Sequence, residues 1–189
     1  MMNKNKGFSM AELLVVIAII GIIASMAVPA FDKLLQRNRL KAALQSLQDD
    51  MQHARTIAIK QSQNVVVSIT TGNAGAWCYG LSSGSTACNC ANAASTTNCD
   101  IKIVSGAGFN TTNITTGGSL TFDSRRGTVT PSAAAANKII FSTTNYAAAV
   151  STDVDSSNNT SSDSGKITIC APTAAMPTDT ISLPAIPNC

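Results

Sequence analysis

Apolar residues run almost unbroken from Phe8 to Ala30, and Glu12 is the one charged side chain among them. As a helix these 23 residues span about 34 Å at about 1.5 Å each, enough to cross a hydrocarbon core of about 30 Å. Beyond Pro29 the pattern changes rather than ends. Leu40, Leu44, Leu47, Met51, Ala54 and Ala58 recur at spacings of three and four residues, one face of a helix, and Phe31 and Leu34 extend that face back towards Pro29. An amphipathic helix is therefore expected over 31–62. Pro29 removes a backbone donor and should kink the helix rather than end it, and Gly21 is a second weak point.

After Gln61 the periodicity shifts to that of strands. Residues 64–70 are β-branched, and further strands are expected at 76–81, 100–104, 119–122, 138–142, 166–170 and 180–183. Loops rich in Gly, Ser, Asn and Thr separate them, notably 82–98 and 152–165. A long helix followed by a run of strands predicts an α+β fold, with antiparallel sheet packed on the apolar face of the helix. The segments are then 1–7 as a leader, 8–30 as an apolar helix, 31–62 as its amphipathic continuation and 63–189 as a β-rich domain.

Composition narrows the class. Of 189 residues 12% are charged and 4% aromatic, so the core is modest and built largely of small side chains. Six cations (Lys33, Arg37, Arg39, Lys41, Arg55, Lys60) fall between Phe31 and Gln61, while from Ser62 onward five cations meet six acids. That balance argues against a generally basic nucleic-acid binder. The six cysteines, Cys78, Cys88, Cys90, Cys99, Cys170 and Cys189, all lie in the C-terminal part. An even count in one region reads as disulfides in an oxidising compartment. Cys88, Cys90 and Cys99 could instead supply thiolates to a metal, but there is no CxxC pair, and His53 is the only histidine. Cys170 and Cys189 are expected to close a C-terminal loop; the pairing of the other four stays open.

Three readings compete for the N-terminus: a secretory signal peptide, a plain transmembrane helix, and a helix that spans a membrane first and packs in an assembly later. Glu12 and the continuation past Pro29 weigh against the first. A carboxylate within a membrane span is unfavourable by a few kcal/mol (~2.5–3.5 at a helix centre), so it is rarely there without a partner. Positive charge after the span would hold the C-terminal domain in the cytoplasm, whereas the cysteines place it outside. The cysteines impose the stronger constraint.

Residues 7–31 resemble the N-terminus of type IV pilins and type II secretion pseudopilins: a short basic leader ending in Gly7, then Phe8, then Glu12, then an apolar helix with Gly21 and Pro29. The resemblance implies that a prepilin peptidase cuts between Gly7 and Phe8 and methylates the new amine of Phe8. It further implies that Glu12 meets the Phe8 amine of a neighbouring subunit as the helices enter a filament. Ser9 and Met10 stand where the family usually has Thr and Leu. The 53–60 stretch, Trp77-Cys78-Tyr79-Gly80-Leu81 and the turn Phe122-Asp123-Ser124-Arg125-Arg126-Gly127-Thr128 are similar to the GspH/FimT branch. That branch's DNA-binding members carry a Gly-Arg-x-Arg stretch near the C-terminus, which is missing from 181–189.

No catalytic constellation, phosphate loop or dinucleotide fingerprint is found, and neither an enzyme nor a cofactor is expected. Asp153, Asp155 and Asp163 read as a solvated loop rather than a Ca²⁺ site, lacking a recognisable register. Arg125 and Arg126 form the best local spot for a weak anion or DNA contact. The expected function is that of a minor type IV pilin in a tip or priming complex. Its expected partners are other pilin-type subunits, prepilin peptidase and the inner membrane, with the C-terminal domain in the periplasm before incorporation. The alternatives are an H-type pseudopilin of type II secretion and, in another class, a DNA receptor for uptake.

Overall fold

Helix α1 runs from Met10 to Gln61 without a break at Gly21 or Pro29. The computed structural model describes residues 8–91, 99–132, 138–152, 166–172, 181–182 and 186–187. Two compact units divide the chain, Met1–Leu35 and Gln36–Cys189.

In the first unit the apolar helix has no protein of its own to bury it. Leu13, Leu14, Val15, Ile17 and Ile20 are each more than half exposed. A helix apolar on all sides is at home in a bilayer or among other helices. Ser25, the polar exception in its second half, satisfies its hydroxyl by donating to the Ile22 carbonyl at 2.7 Å.

In the second unit the expected stripe is buried from Leu40 onward, with Ala43 added to Leu44, Leu47, Met51, Ala54 and Ala58. Phe31 and Leu34 continue its spacing but stay 59% and 49% exposed, so the buried face is shorter than the pattern suggests. The helix ends in a Schellman arrangement: the Gln63 N–H reaches the Ala58 carbonyl and the Ser62 N–H that of Ile59. Ser62 adopts the left-handed conformation this requires, at φ 52°.

Two sheets receive the stripe, where one was expected. The first contains β1 (Val65–Thr70), β2 (Cys78–Ser83), β3 (Lys102–Ser105), β5 (Gly118–Phe122) and β6 (Val129–Pro131). Its order is β3-β2-β1-β5-β6, antiparallel throughout. The second contains β4 (Asn113–Ile114), β7 (Lys138–Ser142), β8 (Tyr146–Thr152), β9 (Ile167–Cys170) and β10 (Ile181–Ser182). Here β9 pairs antiparallel with β8 while β10 runs parallel to it. Ile114 joins the sheets, because it pairs with β7 and also bridges to Gly72 just past β1. Alternation places Val65, Val67, Ile69, Tyr79, Leu81, Leu120 and Phe122 from the first sheet in one core with α1. Ile139, Phe141, Ala148 and Val150 of the second sheet share that core.

Two disulfides lie against β1 and β2 of the first sheet. Cys78 pairs with Cys90 and Cys88 with Cys99, so the two bridges interleave. The Cys88 N–H donates to Ser68 Oγ at 2.9 Å, and Ser82 Oγ donates to the Thr86 carbonyl at 3.0 Å. Cys170 is disulfide-bonded too. Cys189, its expected partner, lies outside the described residues.

A buried polar knot ties α1 to β2 and β3. Asp50, 6% exposed, accepts from Tyr79 Oη at 2.8 Å and from Lys102 Nζ at 2.6 Å. Ser46 Oγ lies 2.9 Å from the same phenol oxygen. Burial pushes the Tyr79 phenol well above its usual range, so it stays a neutral donor. Asp50→Ala leaves that donor and the ammonium without their acceptor. It should lower stability by about 1–3 kcal/mol, read as the denaturant midpoint of the full chain in detergent.

Candidate functional site

The residues expected to carry assembly sit at the start of α1. Ser9 lies just before the helix, and its carbonyl accepts from the N–H groups of Glu12 at 3.1 Å and Leu13 at 3.2 Å. Glu12 therefore occupies the first turn, where a carboxylate complements the exposed N–H groups of the helix. Its side chain is exposed and has no ion-pair partner among the described residues. Phe8 is 71% exposed. Gly7 lies outside the described residues. Gly21 has open space around it, with no neighbouring atom within 4 Å of the position a Cβ would take.

The second expected cluster lies on the β5–β6 turn. Asp123 Oδ1 accepts from the N–H groups of Arg125 at 2.9 Å and Arg126 at 3.0 Å. Those two bonds, Arg126's first, hold the Asp123 carboxyl below its usual range. Gly127 closes the turn at φ 63°. A Cβ there would meet Ile59 Cδ1 at 2.8 Å and Arg55 Nε at 2.9 Å, so the turn sits directly on α1. Arg125 and Arg126 are exposed. The turn that carries them packs on Arg55 and Ile59 through Gly127, a neighbourhood that linear spacing does not reveal.

Other expected residues have ordinary structural places. His53 is exposed on α1. Asp153, Asp155 and Asp163 lie outside the described residues. Among the described residues no group of three or more His, Cys, Asp or Glu is placed to hold a metal. Trp77 is a core residue: its indole N–H donates to the Thr112 carbonyl at 3.0 Å, and its ring stacks on Phe109 and meets Phe141 edge-on. Gly80 has a role the sequence reading missed. It faces the Cys88–Cys99 bridge so closely that a Cβ would overlap Cys99 Sγ. The signal was present, a glycine inside a strand next to cysteines, but it needs the pairing to be read.

The family described as type II transport protein GspH matches residues 43–180, well over half of the chain. The prokaryotic N-terminal methylation motif matches residues 2–28. A fimbrial protein of Moraxella nonliquefaciens is 48% identical over 42 residues, 22% of this chain and 27% of that relative. The chain thus aligns with about a quarter of the length of this curated relative. No solved structure matches the chain. The matches cover both parts of α1 and the sheets packed on its second half, and such families are structural rather than enzymatic. The chain belongs to the GspH family and carries the N-terminal methylation motif of pilin and pseudopilin subunits.

Proposed function

We propose that the chain is a minor type IV pilin, processed between Gly7 and Phe8, N-methylated on Phe8 and built into a filament at or near its tip. The observation that carries this reading is the register of the methylation motif with an exposed apolar helix whose one carboxylate, Glu12, has no ion-pair partner among the described residues. The membrane stores the apolar helix before assembly, and the filament core replaces it afterwards. In that core Glu12 meets the Phe8 amine of a neighbour and sets the axial register, a pairing that low dielectric strengthens. The β-rich domain, closed by disulfides, faces outward. The "fimbrial protein" description of the Moraxella relative supports the pilus over a secretion machine.

A second reading within the same architecture, an H-type pseudopilin of type II secretion, draws support from the description of the matching family. Deleting the gene separates the two. A minor pilin leaves cells short of surface filaments with secretion of folded proteins intact, and a pseudopilin gives the reverse.

Processing has its own test. Gly7→Leu should leave the precursor uncut, seen as a single band carrying the leader. Mass spectrometry of the wild-type chain should find N-methylated Phe8 as its first residue; an unprocessed Met1 or a cut after Ala27 would overturn the assignment.

A further inference from the structure

We infer that the last turns of α1, with the β5–β6 turn beside them, form a docking groove for an acidic segment of a neighbouring pilin-type subunit. This rests on the reading of the chain as a filament subunit and names a surface of its globular unit that makes the contact. On α1 the exposed positions Thr56, Ile59 and Lys60 lie together, Ile59 and Lys60 three and four residues after Thr56, with Arg55 four residues before Ile59. Gly127 presses the β5–β6 turn, which carries the exposed Arg125 and Arg126, onto Arg55 and Ile59. On this end of the unit a cleft of about 350 Å³ is lined by Gln52, Arg55, Thr56, Lys166 and Ile167.

Among the described residues the charge here is mostly positive. Arg55 and Lys166 have interactions of their own. The charge open to a partner therefore sits on Lys60, Arg125 and Arg126, none with an ion-pair partner among the described residues. Asp123, the acid within the turn, accepts from the turn's own N–H groups and offsets part of the charge of Arg125 and Arg126, leaving cations in excess among the described residues. Lys60 has a local reason to be there, since a cation favours a helix C-terminus. Arg125 and Arg126 follow Asp123 in the turn and stay exposed. Ile59, 45% exposed, gives this basic ring an apolar centre. An apolar contact rimmed by charge is the anatomy of a protein interface, and the sign of the rim selects an acidic partner.

The test places a photoreactive phenylalanine derivative at Thr56 of the full-length chain in cells making filaments. Cross-linking should capture another pilin-type subunit, with the joined peptide mapped by mass spectrometry to a segment bearing Asp or Glu. Arg125→Glu with Arg126→Glu should cut the yield by about fivefold or more, as reversing rim charges slows association. Lys in place of the mapped acids should restore it. Should the reversed pair fail to accumulate, Arg125→Gln with Arg126→Gln serves instead, with a fall of about twofold or more expected. The groove is overturned by an absent cross-link, by a yield indifferent to these charges, by a mapped peptide without acids, or by capture of nucleic acid or lipid. Absence of the wild-type chain from sheared filaments would instead overturn the minor-pilin reading itself. A chain present there with an indifferent cross-link overturns the groove alone.

Discussion

Glu12→Ala should insert and be cleaved normally, yet enter filaments at least about tenfold less often. The physical asymmetry is simple. In the membrane the carboxylate is unfavourable by a few kcal/mol, so alanine is no worse there and insertion proceeds. In the proposed filament pairing the same group would gain a cation, and at about 4 Å and an effective dielectric of about 20 that attraction would be about 4 kcal/mol. Removing it takes away the term that distinguishes the correct axial register from neighbouring ones. The measurement is the ratio of chain in sheared filaments to chain in the membrane, with leader removal followed on the same gel. Normal incorporation of the alanine variant would refute the register role. Glu12→Gln should fall close to alanine, because shape without charge does not replace the pair.

The second large effect is expected in the second unit. Gly80→Ala should destabilise the second unit by roughly 3 kcal/mol, since the new methyl overlaps Cys99 Sγ and either the bridge or the β2–β3 pairing must shift. For a unit of this size that is a fall in Tm of roughly 6–12 °C. A thermal melt of the full chain in detergent reads it. The control removes the sulfurs: in a Cys88→Ala, Cys99→Ala background the same Gly80→Ala change should lose most of its penalty, a coupling that a double-mutant cycle isolates. An equal penalty in both backgrounds would place the strain elsewhere.

The helix and most strands were legible because their signals are periodic and local. The stripe from Leu40 to Ala58 follows helical spacing, and β1 is a run of β-branched residues bounded by polar ones. What escaped the reading was decided by tertiary packing. Ala147, Ala148 and Ala149 of β8 favour helix by propensity, and only their burial in a sheet makes them strand. β4 has two residues and β6 three, the last a proline, too short for any pattern to stand out. β10 runs parallel to β8, which no feature of Ile181–Ser182 announces. Among the proposed site residues, Glu12 and Phe8 are nominated from sequence because their register with the apolar run is linear. The packing of the β5–β6 turn on Arg55 and Ile59 through Gly127 could not be read there, since the turn and the helix lie far apart in the chain.

The interleaved bridges carry a consequence for how the subunit is made. A chain threaded through a membrane from its N-terminal side presents Cys78 first, then Cys88, then Cys90. Oxidation in order of emergence joins Cys78 to Cys88, a bridge absent from the fold, where Cys78 holds Cys90 and Cys88 holds Cys99. The native pairs must then be reached by thiolate exchange, a process of seconds to hours unless an isomerase assists. Under the proposed function, supply of this subunit to a filament would be tied to the disulfide-shuffling capacity of the compartment that receives it, and cells lacking that capacity should hold it as a mispaired pool.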